Sequence, residues 1–163
     1  IKELGTSRYL VDLLSQSTPK IVLPAAIFML GSFISFSTGT SYGTMGILMP
    51  LAIPLASAVG MHSGLESDAL HAYMIVNISA VLTGAIFGDH CSPISDTTIL
   101  SSMGAGCNHI DHVQTQMPYA LAVCAISIFA GYFPVALGLS IWIVLPLGLL
   151  VTALVVRLVG QRV

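Results

Sequence analysis

Residues Gly88 to Ser102 read GDHCSPISDTTILSS, and the run that leads into them, Ala72 to Gly88, is apolar apart from Asn77, Ser79 and Thr83. An oily stretch of helix length that passes directly into two aspartates, a histidine, a proline and six serines and threonines decides the fold. In a bilayer every backbone N–H and C=O needs a partner, so unwound polar chain survives there only when packed in protein or lining a watery cavity. The stretch is therefore read as a break between two helices inside a membrane protein.

Working outward, the same pattern recurs upstream. Segment A, Ile21 to Phe36, is apolar and close to the ~20 residues needed to span. Ser37 to Thr44, STGTSYGT, carries two glycines and five serines and threonines, which reads as a second break. Segment B, Met45 to Gly60, is apolar but contains Pro50 and Pro54, and a polar loop follows from Met61 to His71. Downstream of the deciding stretch, Met103 to Gln116 reads as a solvent-facing connection with a short helix around His109. Segments D, Met117 to Pro134, and E, Leu139 to Val159, are apolar and spanning, with Pro134 and Gly138 marking the turn. Residues 1–19 read as an amphipathic helix lying at the interface, or as the tail of an earlier span.

Composition agrees. Of 163 residues, 55% are hydrophobic and 7% charged, and the mean hydropathy is +0.93. A soluble domain carries about 25% charged residues, so this chain lacks the polar surface to cover itself in water. Three cysteines form no disulfide framework, and five basic against seven acidic residues leave no footprint for nucleic acid. Lys2, Arg8 and Lys20 precede the apolar region, and Arg157 and Arg162 follow it. This bias places both ends in the cytoplasm and calls for an even number of crossings. Five apolar segments then require one re-entrant element, either segment B or the half-helix after Pro93. The chain opens on Ile1 with no signal-peptide pattern, which reads as part of a longer polypeptide.

Between Ile21 and Val156 there is no lysine or arginine, yet Glu66, Asp68, Asp89, Asp96 and Asp111 lie in that interval. An Asp at a helix centre costs at least ~2.5 kcal/mol on insertion scales, so such residues mark function by default. Segment C is expected to end near Gly88, leaving orphan carbonyls, and a new helix to start with Ser92 as cap and Pro93 as its first residue. Asp89 then sits in the gap and Asp96 one turn into the half-helix, whose positive end favours it. Carboxylates, hydroxyls and free carbonyls suit a hard cation such as Na⁺. The same carboxylate binds H⁺, and a site at which the two ions exclude one another exchanges them. Plainer readings stand beside this one: Asp96 as a simple helix cap, STGTSYGT as a small-residue packing surface. Asp89, His90 and His109 also permit a membrane-embedded, metal-dependent enzyme, although no C-x-x-C or H-E-x-x-H spacing occurs.

Two motifs, FSTGTSYGTMGILMPLAIPLA (Phe36 to Ala56) and GAIFGDHCSPISDTTILSSMGAGCNHIDHVQTQMPYAL (Gly84 to Leu121), resemble the C-terminal half of the NhaC-type Na⁺/H⁺ antiporter family. The resemblance implies an all-α, polytopic inner-membrane bundle of four to five transmembrane segments with broken or re-entrant helices, one repeat of an inverted-repeat carrier. It implies exchange of Na⁺ for H⁺; the family also includes ion-coupled exchangers of organic acids, malate/lactate-like. The family signature falls on Asp89, His90, Ser92, Pro93, Asp96, Thr97 and Thr98, and on Thr38, Thr40, Ser41 and Thr44. The expected ion-binding residues are Asp89, Asp96, Ser92, Thr97, Thr40 and Ser41. Thr38, Thr44, His90, Thr98 and Asn77 are candidates for the pathway. No cofactor is expected beyond the transported Na⁺ and H⁺. The expected partners are the lipid bilayer, the N-terminal half of the same polypeptide, a small cation and, as a further candidate, a second copy of the chain.

Overall fold

The computed structural model describes residues 6–15 and 17–159, so Lys2 and Arg162 lie outside the described residues, as does the side chain of Arg8. The described residues are helical, without strands, in the order α1 (Thr6–Ser15), α2 (Leu23–Thr38), α3 (Ser41–His62), α4 (Ser67–Cys91), α5 (Asp96–Gly104) and α6 (His109–Ile126). A π-helical turn (Ser127–Tyr132), α7 (Phe133–Ala136) and α8 (Ile141–Val159) complete it. Four rods are long and apolar enough to cross a membrane: Ser41–His62, Ser67–Cys91, His109–Ala136 and Ile141–Leu158. The chain is thus a multi-pass, all-α membrane protein.

The centre of the bundle is the pair α2 and α4, which run parallel. Phe28 lies against Gly84, Ser32 against Gly88 and Phe36 against Ser92. The approach is backbone to backbone: a Cβ at Gly84 would overlap the Phe28 carbonyl, and one at Gly88 would overlap the Ser32 carbonyl and lie 2.7 Å from the Phe36 nitrogen. Only glycine allows this, and Gly84-x-x-x-Gly88 facing Gly31 and Ser35 is the small-residue spacing by which helices associate in lipid. Ser35 Oγ donates to the Ala85 carbonyl at 2.5 Å and Ser92 Oγ to the Phe36 carbonyl at 2.7 Å, binding the pair at the C-terminal end of α2. At its start, Pro24 has no N–H for the Lys20 carbonyl, and Tyr73 Oη supplies the missing donor at 2.9 Å.

The structure corrects several expectations. Gly88 does not end segment C: α4 runs to Cys91, because Gly88 serves close packing rather than termination. It ends there because Ser92 precedes Pro93 and is pushed into extended backbone (φ −72°, ψ 132°). Segment B is not re-entrant but a continuous 22-residue helix, α3. Its prolines, four residues apart, share an exposed face, while Leu48, Ala52, Ala56 and Val59 are buried on the other. The short apolar element is instead α2, whose 16 residues rise about 24 Å. STGTSYGT is not one long break, because only Gly39 and Thr40 interrupt the helices and Thr40 caps α3 by accepting from Gly43 N–H. Met103 to Gln116 is not mainly a connection: Asn108 caps Ile110 and Asp111, and from His109 the chain is already a rod that continues to Ala136. Helix α1 packs against α3, and Val11 and Leu14 face Leu48, Leu51 and Leu55 at the mid-height of the bundle.

Candidate functional site

The two polar motifs meet at one end of the bundle. Gly39, in the turn between α2 and α3, has φ +68° and packs so tightly on Ile94 that a Cβ would lie 3.0 Å from the Ile94 carbonyl. Ile94 belongs to the four-residue break, Ser92 to Ser95, between α4 and α5. From the other side the His109 ring grips the same break, with Nε2 donating to the Pro93 carbonyl at 2.6 Å and Nδ1 lying 3.1 Å from Ser102 Oγ.

Asp89 is not in the gap. It occupies the last turn of α4, 7% exposed, and among the described residues its hydrogen-bond partner is Ser95, whose hydroxyl donates to Oδ1 at 2.8 Å. Ser95, not Ser92, caps the half-helix: it accepts from Thr97 N–H at 3.2 Å, while the Ser92 hydroxyl is committed to α2. Asp96 is accordingly the first residue of α5, and it is exposed. The carbonyls at the end of α4 are not left free. The Asp89 carbonyl accepts from Ser92 N–H, and the His90 carbonyl accepts from Thr98 Oγ1 at 3.1 Å and from Gln116 Nε2 at 3.0 Å.

Beside Asp89 lies a cavity of about 300 Å³ lined by His90, Thr97, Thr98, Ser101, His112 and Gln116. The break therefore gathers Asp89, Thr97, Thr98 and His90 in one neighbourhood, with Ser92 fixing it to α2. Thr38 and Thr44 return their hydroxyls to carbonyls of their own helices, Ile34 and Thr40. Thr40 and Ser41 lie at the same end of the bundle but do not line the cavity. Asn77 is elsewhere: twelve residues before Asp89, about 18 Å along α4, it is buried with its Nδ2 on the Tyr73 carbonyl and its Oδ1 without a partner among the described residues. Reading the sequence missed Gln116, Ser101 and His112 as wall residues. The available signal was the 3–4 spacing of His109, His112 and Gln116 on one face of a helix. Among the described residues no three His, Cys, Asp or Glu side chains gather as a metal site, and both His109 nitrogens are engaged.

Membrane-crossing rods around a broken helix, with a buried acid at the break and a polar cavity beside it, are the architecture of a carrier. The chain belongs to the Na⁺/H⁺ antiporter family, whose model matches residues 1–136. It is 46% identical over 140 residues to an uncharacterized protein of Haemophilus influenzae, covering 86% of this chain and 25% of that protein. It is 33% identical over 96 residues (59% and 18%) to an uncharacterized Na(+)/H(+) antiporter of the same organism. It is 32% identical over 99 residues (61% and 19%) to the malate-2H(+)/Na(+)-lactate antiporter of Bacillus subtilis. The matched stretches thus span a quarter or less of these relatives. No solved structure matches. The family consists of antiporters, transporters rather than enzymes, which sets aside the metal-dependent enzyme reading.

Proposed function

We propose that the full-length protein exchanges Na⁺ for H⁺ across the cytoplasmic membrane, and that Asp89 is the carboxylate that takes the two ions in turn. The observation that carries this reading is the burial of Asp89 at the end of a broken helix with one hydroxyl partner, in a stretch from Ile21 to Val156 that has no lysine or arginine. An ionised carboxylate so placed has unfilled lone pairs and, among the described residues, no fixed counter-charge, and either Na⁺ or H⁺ supplies both needs. Asp96, exposed as the first residue of α5, is an outer acid that draws cations toward the break. Thr40 and Ser41, at the same end, are oxygen donors for the approaching ion. The remainder of the longer polypeptide supplies the opposing wall, and α1, packed at mid-height, is the tail of a preceding span rather than an interfacial helix.

In everted vesicles containing the full-length carrier, Asp89→Asn abolishes Na⁺-dependent proton movement; wild-type rates in that variant remove Asp89 from the mechanism. A second reading is favoured by the cavity itself, whose His90 and His112 imidazoles offer N–H donors to the carboxylate of a small organic acid. The malate/lactate exchanger among the relatives supports it. Counterflow of labelled dicarboxylate separates the two: uptake favours the organic acid, and cation-only exchange favours Na⁺/H⁺ antiport.

A further inference from the structure

Ser95 and Thr97 form a line of hydroxyls between Asp89 and the cavity. A serine hydroxyl has one proton and two lone pairs. That of Ser95 donates its proton to Asp89 Oδ1 at 2.8 Å and accepts from Thr97 N–H at 3.2 Å. It also lies 2.6 Å from Thr97 Oγ1, and because its own proton is spent on Asp89, this contact is Thr97 donating to Ser95. Ser95 is fully buried, whereas Thr97 is exposed and lines the cavity. The donors therefore point inward in sequence, from cavity to Thr97 to Ser95 to carboxylate.

We propose that this line is the route by which Asp89 exchanges its proton with water in the cavity, with Ser95 and Thr97 as positioning residues. The proposal rests on Asp89 being the exchanging carboxylate and adds the path. In the protonated state each donor points outward. The carboxyl passes its proton to Ser95 Oγ as Ser95 passes its own to Thr97 Oγ1 and Thr97 passes its own to a cavity water. One O–H bond breaks and one forms at each hydroxyl, so the net change is one proton lost from Asp89 and one hydronium formed. The line is left pointing inward, the direction in the structure. Other titratable groups around it are His90 on α4, Asp96 on α5, and His109 and His112 on α6; α2 carries none.

The test is Na⁺-driven proton movement by the reconstituted full-length carrier in H₂O and D₂O. Thr97→Val keeps the side-chain shape and the N–H that Ser95 accepts, but removes the hydroxyl. It slows proton movement about tenfold or more and raises the solvent isotope effect above that of the parent. Thr97→Ser, which restores the hydroxyl, returns both toward the parent values. A wild-type rate in Thr97→Val, a slowed rate with an unchanged isotope effect, or a Thr97→Ser as slow as Thr97→Val each overturns the route. Asp89→Asn is run alongside: if it is inactive while Thr97→Val is unaffected, the route alone fails, and if it is active, the carboxylate reading fails and the route with it.

Discussion

Gly88 shows how much one hydrogen atom in place of a side chain decides. It stands next to the buried acid, and its missing Cβ lets α2 come against α4 where a methyl group would meet the Ser32 carbonyl and the Phe36 nitrogen. Backbone cannot swing aside as a side-chain end can, so Gly88→Val forces the two helices apart. Overpacking of this kind costs about 1–3 kcal/mol, and the variant is expected to lower the thermal unfolding midpoint of the detergent-purified full-length carrier. The damage extends to function, because separating the helices also breaks the Ser92–Phe36 bond that anchors the break. Asp89 stands out in the sequence as an unpaired acid beside an oily run, and the structure buries it in the last turn of α4. The role of Gly88 was written equally plainly in GAIFG, yet a glycine before polar residues looks like a helix end, and the two meanings separate only when a partner helix is placed.

At the scale of the element, proline carries a similar ambiguity. Pro50 and Pro54 leave α3 continuous, with both rings on its exposed face; such prolines are tolerated inside membrane helices. Pro93 ends α4, because it acts on Ser92, which has already left helical backbone and found a partner in α2. Nothing local distinguishes these prolines; the difference is what surrounds them. Pro93→Ala removes the restriction on Ser92 and permits α4 to extend toward Ser95, drawing the cap away from Asp89. Transport is expected to fall severalfold with Asp89 intact, and a spin-label pair on α4 and α5 is expected to report a changed distance distribution. The polar start of α6 shows the same limit: HIDHVQTQ looks like a loop by composition, but Asn108 caps it, and His109, His112 and Gln116 face the break and the cavity while Asp111, Gln114 and Thr115 are exposed.

Over the whole molecule, apolar side chains cover the outside as well as the centre. Helix α8 shows Trp142, Leu149 and Leu158 nearly bare, and Phe129 and Tyr119 stand out from the α6 rod. Such a surface suits acyl chains or further helices and does not suit water. In intact membranes a cysteine at Leu149 is expected to resist a membrane-impermeant maleimide from either side, whereas one at Asp96 or Gly106, on the polar end, is expected to react from one side only. Labelling of Leu149→Cys from water would contradict the placement of α8 in the bilayer. The helical class and approximate spans were readable from hydropathy alone. The parallel pairing of α2 with α4 was not, because it depends on contacts 56 residues apart that no periodicity encodes.

That pairing has a mechanical consequence. Two rods whose main chains interlock through glycines cannot slide lengthwise without riding up over one another, so they move as a single beam. The α2–α3 turn, wedged on Ile94, is carried with it. The His109 bond to the Pro93 carbonyl fastens α6 to the very break that this beam carries.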